Sequence, residues 1–149
     1  METLRREDLD SDFWEALVEA RKAAGSAYAP YSSFAVGACL VTEEGDLIPG
    51  CNVENASYSL TVCAERAALC AAVCKGYRAF RALVLYVDRP SPVSPCGACR
   101  QSLFEFAPDL VLFLACRGDM VRRVLLSDLL PLAFGQDALP PSPVDREEA

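Results

Sequence analysis

Cys63-Ala64-Glu65 and Pro95-Cys96-Gly97-Ala98-Cys99 put three thiols and one carboxylate into two separated segments of a chain that contains no histidine. A fold that uses them together must bring the start of one element against the start of another. A Cys-x-x-Cys pair lets two thiolates in the first turn of a helix converge on one ion, and Cys63 supplies a third ligand from a different segment. A catalytic Zn2+ keeps three protein ligands and leaves its fourth position to water, whereas a structural zinc is closed by four. The spacing therefore predicts one Zn2+ per subunit on Cys63, Cys96 and Cys99. Glu65, two residues from a ligand, is placed to handle protons. The competing reading is a structural zinc module used for protein binding, which needs a fourth thiolate that no further motif supplies.

The eight cysteines bear on compartment. The amino-terminal stretch Met1 to Asp12 is charged and lacks the apolar run of a signal peptide, and no stretch is long and apolar enough to cross a bilayer. A cytoplasmic location is expected, with metal ligands and free thiols in place of a disulfide framework. The formal charge of -7, with no basic cluster longer than Arg122-Arg123, opposes a phosphate backbone. Neither nucleic acid nor membrane is an expected partner. At 149 residues the chain fits one domain, expected over 1–135, followed by a flexible acidic, proline-rich tail over 136–149.

Leu9, Phe13, Leu17, Ala20 and Ala24 recur at helical spacing, with Asp10 or Asp12 as N-cap and Gly25 as stop. Phe34–Thr42 has strand character, Glu43–Asp46 turns, and Leu47–Gly50 returns as a short or edge strand because Pro49 cannot donate to a ladder. Val62–Lys75 and Cys96–Phe106 read as helices, with the strand Ala82–Val87 between them. Leu110–Cys116 and Met120–Leu125 are strands joined only by Arg117-Gly118-Asp119, too short for the crossover of a parallel pair, so these last two strands must be antiparallel. Ser127–Leu130 closes as a short helix. The predicted fold class is α/β, a three-layer α/β/α sandwich with helices on both faces of a mixed five-stranded sheet.

Four segments in order extend the metal motif: Pro30-Tyr31-Ser32-Ser33-Phe34-Ala35-Val36-Gly37-Ala38, Gly50-Cys51-Asn52-Val53-Glu54-Asn55-Ala56-Ser57-Tyr58, Cys63-Ala64-Glu65-Arg66 and Ser94-Pro95-Cys96-Gly97-Ala98-Cys99-Arg100-Gln101. Together they resemble cytidine deaminase of the short, homotetrameric, three-cysteine zinc type, over a span from about Ser26 to Phe134. Ser59 stands where the family pattern has proline, and Cys39 where it has alanine. The terminal hairpin resembles the nucleoside deaminases, in contrast to the tRNA and DNA editors, whose pattern has a helix there.

The resemblance implies zinc-dependent hydrolysis of cytidine and 2'-deoxycytidine to uridine and 2'-deoxyuridine plus ammonia, a step of pyrimidine salvage. It makes Glu65 the proton carrier, and it assigns backbone groups at Ala64 and around Ser94 to the pyrimidine edge and Phe34 to its face, with a core phenylalanine the alternative for Phe34. Asn52 and Glu54 would hold the ribose hydroxyls; the alternative is a turn after Gly50 with a solvated acid. Tyr58 and Phe134 match positions through which neighbouring subunits complete each other's pockets, with core packing the alternative for Phe134. Arg66 and Arg100 flank ligands and would offset the charge of three thiolates, or Arg66 is a surface arginine. Cys39, Cys51, Cys70, Cys74 and Cys116 read as small buried hydrophobes. On the substrate side, a free aminopyrimidine or a nucleoside analogue remains the alternative.

Overall fold

The computed structural model describes residues 1–140. Chain order is β1 (Glu2–Arg5), α1 (Ser11–Gly25), β2 (Val36–Thr42), β3 (Leu47–Cys51), α2 (Ala64–Cys74), β4 (Phe80–Val87), α3 (Gly97–Phe104), β5 (Val111–Ala115), β6 (Met120–Leu125) and α4 (Leu126–Leu129). The strands form one sheet in the order β1-β6-β5-β4-β2-β3. Only β4 and β5 run parallel, and α3 is their crossover; every other neighbouring pair is antiparallel.

Period-two alternation builds the three layers. Ala38 and Leu40 on β2, Leu83 and Leu85 on β4, and Leu112 and Leu114 on β5 face α2 and α3. The intervening Cys39 and Val41, Val84 and Tyr86, and Phe113 and Ala115 face α1 through its buried Ala16, Leu17, Ala20 and Ala24. Each central strand is thus buried on both faces, which is why these segments read as nearly continuous apolar runs. The expected terminal hairpin is present, with Val111 opposite Leu125 and Ala115 opposite Val121. Strand β3 is an edge, as Pro49 required.

The sheet has six strands where five were expected. The additional strand is β1, laid antiparallel on β6 with Leu4 opposite Val121. Its four residues include one apolar side chain, Leu4, which packs against the α1-side core. That is too little for a periodic signal. Helix α2 starts at Ala64, later than expected, because Val62 remains extended and exchanges backbone hydrogen bonds with Val53, at 2.9 and 3.0 Å. Gln136–Ala138 forms a short 3-10 turn inside the expected tail, and residues 141–149 lie outside the described residues.

Candidate active site

The two helices on one face of the sheet converge by their amino termini. Cys63 is the residue before the first turn of α2, Cys96 the residue before α3, and Cys99 lies in that first turn of α3. Their sulfurs all lie within 4.8 Å of one another. Cys63 Sγ is 3.9 Å from Cys96 Sγ, which is 3.5 Å from Cys99 Sγ. A tetrahedral Zn2+ with Zn–S bonds of about 2.3 Å separates its sulfurs by roughly 3.8 Å. The triad is therefore spaced for one shared ion, and far too wide for a disulfide, whose sulfurs sit about 2.05 Å apart. Among the described residues it is the single cluster of three metal-ligating side chains.

The donor chemistry fits the same ion. Burial pushes the Cys63 thiol up, and it pushes Cys99 up further, with the neighbouring Glu65 and Cys63 charges adding to it. Cys96 goes the other way. Burial raises it too, but the N–H of Cys99, the two neighbouring thiols and the N–H of Ala98 outweigh burial and hold it below the usual thiol range. Those N–H groups belong to the start of α3, where unpaired donors and the helix dipole favour an anion. Three sulfurs crowded in this way need a cation to be ionised together.

Arg66 lies beside these sulfurs. The Cys63 sulfur beside its guanidinium raises the arginine's affinity for its proton. Its Nη2 donates to Thr61 O at 3.1 Å, while Nε is buried without a hydrogen-bond partner. Arg100 turns its donors to the backbone and to Ser94. Its Nε and Nη1 donate to Pro95 O and Leu129 O at 2.7 and 2.8 Å, and Nη2 to Ser94 Oγ at 3.1 Å, so it pins the loop before Cys96.

Glu65 is 5 % exposed. Burial raises its carboxyl, countered by its own N–H, the Cys99 thiol and the Arg66 charge. It lines a cavity of about 350 Å3 together with Phe34, Asn52, Glu54, Cys63, Ala64, Ser94 and Cys96. Of the residues expected at the site, these are brought together. Tyr58 and Phe134 are not among the lining residues and stand largely exposed, at 72 % and 61 %. Core packing of Phe134 is thereby excluded.

The profile of the family described as the cytidine and deoxycytidylate deaminase zinc-binding region matches residues 11–115. The chain belongs to that deaminase family. A cytidine deaminase of Sporosarcina psychrophila is 45% identical over 130 residues, covering 86% of this chain and 95% of that protein. One from Mycobacterium tuberculosis is 46% identical over 121 residues, covering 81% and 88%. The crystal structure of cytidine deaminase from Burkholderia pseudomallei superposes with a TM-score of 0.78 at 47% identity, covering 80% of this chain and 97% of that one.

In this deaminase, two duties escaped the sequence reading. Asn52 and Glu54 do more than line the cavity: they hold the turn that carries Phe34. Asn52 Nδ2 donates to Phe34 O at 2.8 Å and its Oδ1 accepts from Val36 N at 2.9 Å. Glu54 Oε2 accepts from Tyr31 N at 2.8 Å and Ser32 N at 3.2 Å, and Oε1 from the Ser32 hydroxyl. The Ser32 hydroxyl is the main reason the Glu54 carboxyl lies below its usual range. Cys70 and Cys74 are exposed, where burial was expected, because α2 turns Ala64, Ala68 and Ala72 to the core; Cys39 and Cys116 are buried.

Proposed function

We propose that this chain is a zinc-dependent deaminase that hydrolyses cytidine and 2'-deoxycytidine to uridine and 2'-deoxyuridine, releasing ammonia. The observation that carries the reading is a three-sulfur cluster of which Cys63 and Cys96 line one cavity with the nearly buried carboxylate of Glu65. Three ligands at this spacing leave one coordination position for the reaction, and a fourth sulfur ligand, which a structural module requires, is not within reach among the described residues. Zinc held there supplies Lewis acidity that makes water a nucleophile near neutral pH.

The remaining work falls to the chain's own groups. Glu65 accepts a proton from the attacking water as oxygen adds to C4 and passes it to N3, then takes the proton of the new C4 hydroxyl and delivers it to the amine as the C4–N bond breaks and the C4 carbonyl forms. General acid–base catalysis of this type contributes about 10^2 to 10^4 in rate. Phe34 packs against the pyrimidine, and backbone groups at Ala64 and Ser94 orient its edge. Asn52 and Glu54 hold the ribose: each side chain keeps unused hydrogen-bonding capacity beyond its bonds to the Tyr31–Val36 segment. Arg66 offsets the charge of the ionised thiols.

The protein works in the cytoplasm as a homotetramer whose pockets are completed by Tyr58 and Phe134 of neighbouring subunits, within a single domain over 1–135. What supports assembly is the exposure of apolar side chains near the cavity, among them Tyr31, Tyr58 and Leu60. No described helix is long and apolar enough to cross a membrane. Ultraviolet absorbance of cytidine incubated with zinc-loaded protein tests the proposal. The cytosine spectrum is expected to convert to that of uracil with release of one ammonia per turnover; an unchanged spectrum at full zinc occupancy contradicts it.

A further inference from the structure

Ser33, the residue before Phe34, has a φ of 52°. This left-handed conformation is disfavoured for any residue with a side chain, so something must hold the backbone there. Glu54 and Asn52 hold the residues on either side of it: Glu54 binds Tyr31 and Ser32, and Asn52 binds Phe34 O and Val36 N. Ser33 itself is held by a third side chain that belongs to none of the family-like segments. Arg89, in the loop that leaves β4, donates from Nη2 to Ser33 O at 3.0 Å. The same guanidinium lies 5.3 Å from the centroid of the Phe34 ring, within cation–π range.

Arg89 is itself anchored. Its carbonyl accepts from Arg117 N at 2.9 Å, and the Arg117 side chain grips Asp88 through Nε to Oδ1 at 2.8 Å and Nη2 to the carbonyl at 3.1 Å. The turn between β5 and β6 thus braces the β4 exit loop, and that loop braces the Phe34 turn. Arg89 is solvent-exposed and does not line the cavity, whereas Phe34 does. Its reach to the site therefore runs through the Ser33 carbonyl and the Phe34 ring.

We infer that Arg89 is a positioning residue for substrate binding: it holds Ser33 in its left-handed turn and fixes the Phe34 ring on the cavity wall, so that the pyrimidine meets a surface already ordered. The inference rests on the proposed contact between Phe34 and the pyrimidine. A preset wall lowers the cost of binding without touching the reacting atoms, so its loss falls on KM and spares kcat.

The test is steady-state kinetics on cytidine with the zinc-loaded enzyme for Arg89→Ala, Arg89→Lys, Phe34→Ala and the double variant. Arg89→Ala is expected to raise KM by about three- to tenfold, the size of one lost charged hydrogen bond and ring contact, with kcat within about twofold. Arg89→Lys, which keeps a charged donor, is expected to recover part of that loss. A residue that acts through Phe34 adds nothing once the ring is gone, so the double variant should match Phe34→Ala in KM. A merely structural arginine would instead shift the melting midpoint and the active fraction and leave KM alone. If Phe34→Ala raises KM while Arg89→Ala does not, or if the two effects multiply, the inference is overturned and the proposed base contact stands. If Phe34→Ala leaves KM unchanged, the base contact fails and the inference fails with it.

Discussion

Glu54 holds the Tyr31–Ser32 turn and, on the proposed reading, the substrate's ribose as well. An ionised carboxylate offers about four lone-pair positions, and Tyr31 N, Ser32 N and the Ser32 hydroxyl take three of them. The remaining position is free for a ribose hydroxyl. Glu54→Ala removes a charge-assisted hydrogen bond and unpins the Tyr31–Ser32 turn, so KM for cytidine should rise by about 10- to 100-fold. Zinc content should stay at the wild-type level, since Glu54 is no ligand. Kinetics alongside metal quantification checks both; loss of zinc would move Glu54 into the metal shell. That the three thiols and Glu65 would come together was legible in the sequence, because residue type and spacing point to one shared site. The backbone duties of Asn52, Glu54 and Arg100 were not, because each joins its partner through tertiary folding, as Arg100 does with Leu129 O.

Between elements, two glycines set how closely helices lie on the sheet. A Cβ on Gly50 would stand 2.4 Å from Ala68 N and 2.6 Å from Ala64 O, against the backbone of α2. One on Gly37 would stand 1.9 Å from Ala20 O and 2.5 Å from Ala24 N, against α1 on the other face. Neither helix can yield by rotating a side chain. Gly50→Ala and Gly37→Ala should each destabilise the protein by about 1–3 kcal/mol, the usual cost of overpacking, seen as a lowered urea midpoint. They should differ at the site. Displacing α2 moves Cys63 and Glu65, so Gly50→Ala should also weaken zinc retention and turnover, whereas Gly37→Ala should spare both in its folded fraction. Equal effects on zinc would contradict the layered arrangement. The central strands and long helices could be read from the sequence because burial on one or two faces writes a period into it. Strand β1 could not, since one apolar residue on an edge writes none, and the start of α2 was misread because Val62 serves a bridge to Val53 in place of the helix.

At the scale of the molecule, large apolar side chains stand uncovered among the described residues. Tyr31 and Tyr58 contact one another with ring centroids 5.6 Å apart, yet both are exposed, and Leu60, Leu132 and Phe134 are exposed as well. The proposed assembly would cover these side chains. In sedimentation the protein should run as a tetramer, and Leu60→Asp should shift it to smaller species while raising KM for cytidine, as Tyr58 and Phe134 of the neighbours are withdrawn. A monomer with undiminished activity would contradict the shared pockets. The central claim, that sulfur holds the metal and Glu65 moves the protons, is tested most directly by zinc per subunit and cytidine turnover measured together on wild type and Glu65→Ala. The account predicts about one zinc in each and turnover in the wild type alone, with the variant down by at least about 10^2. Loss of zinc from Glu65→Ala would make the carboxylate a metal ligand, and undiminished turnover would remove it from the chemistry.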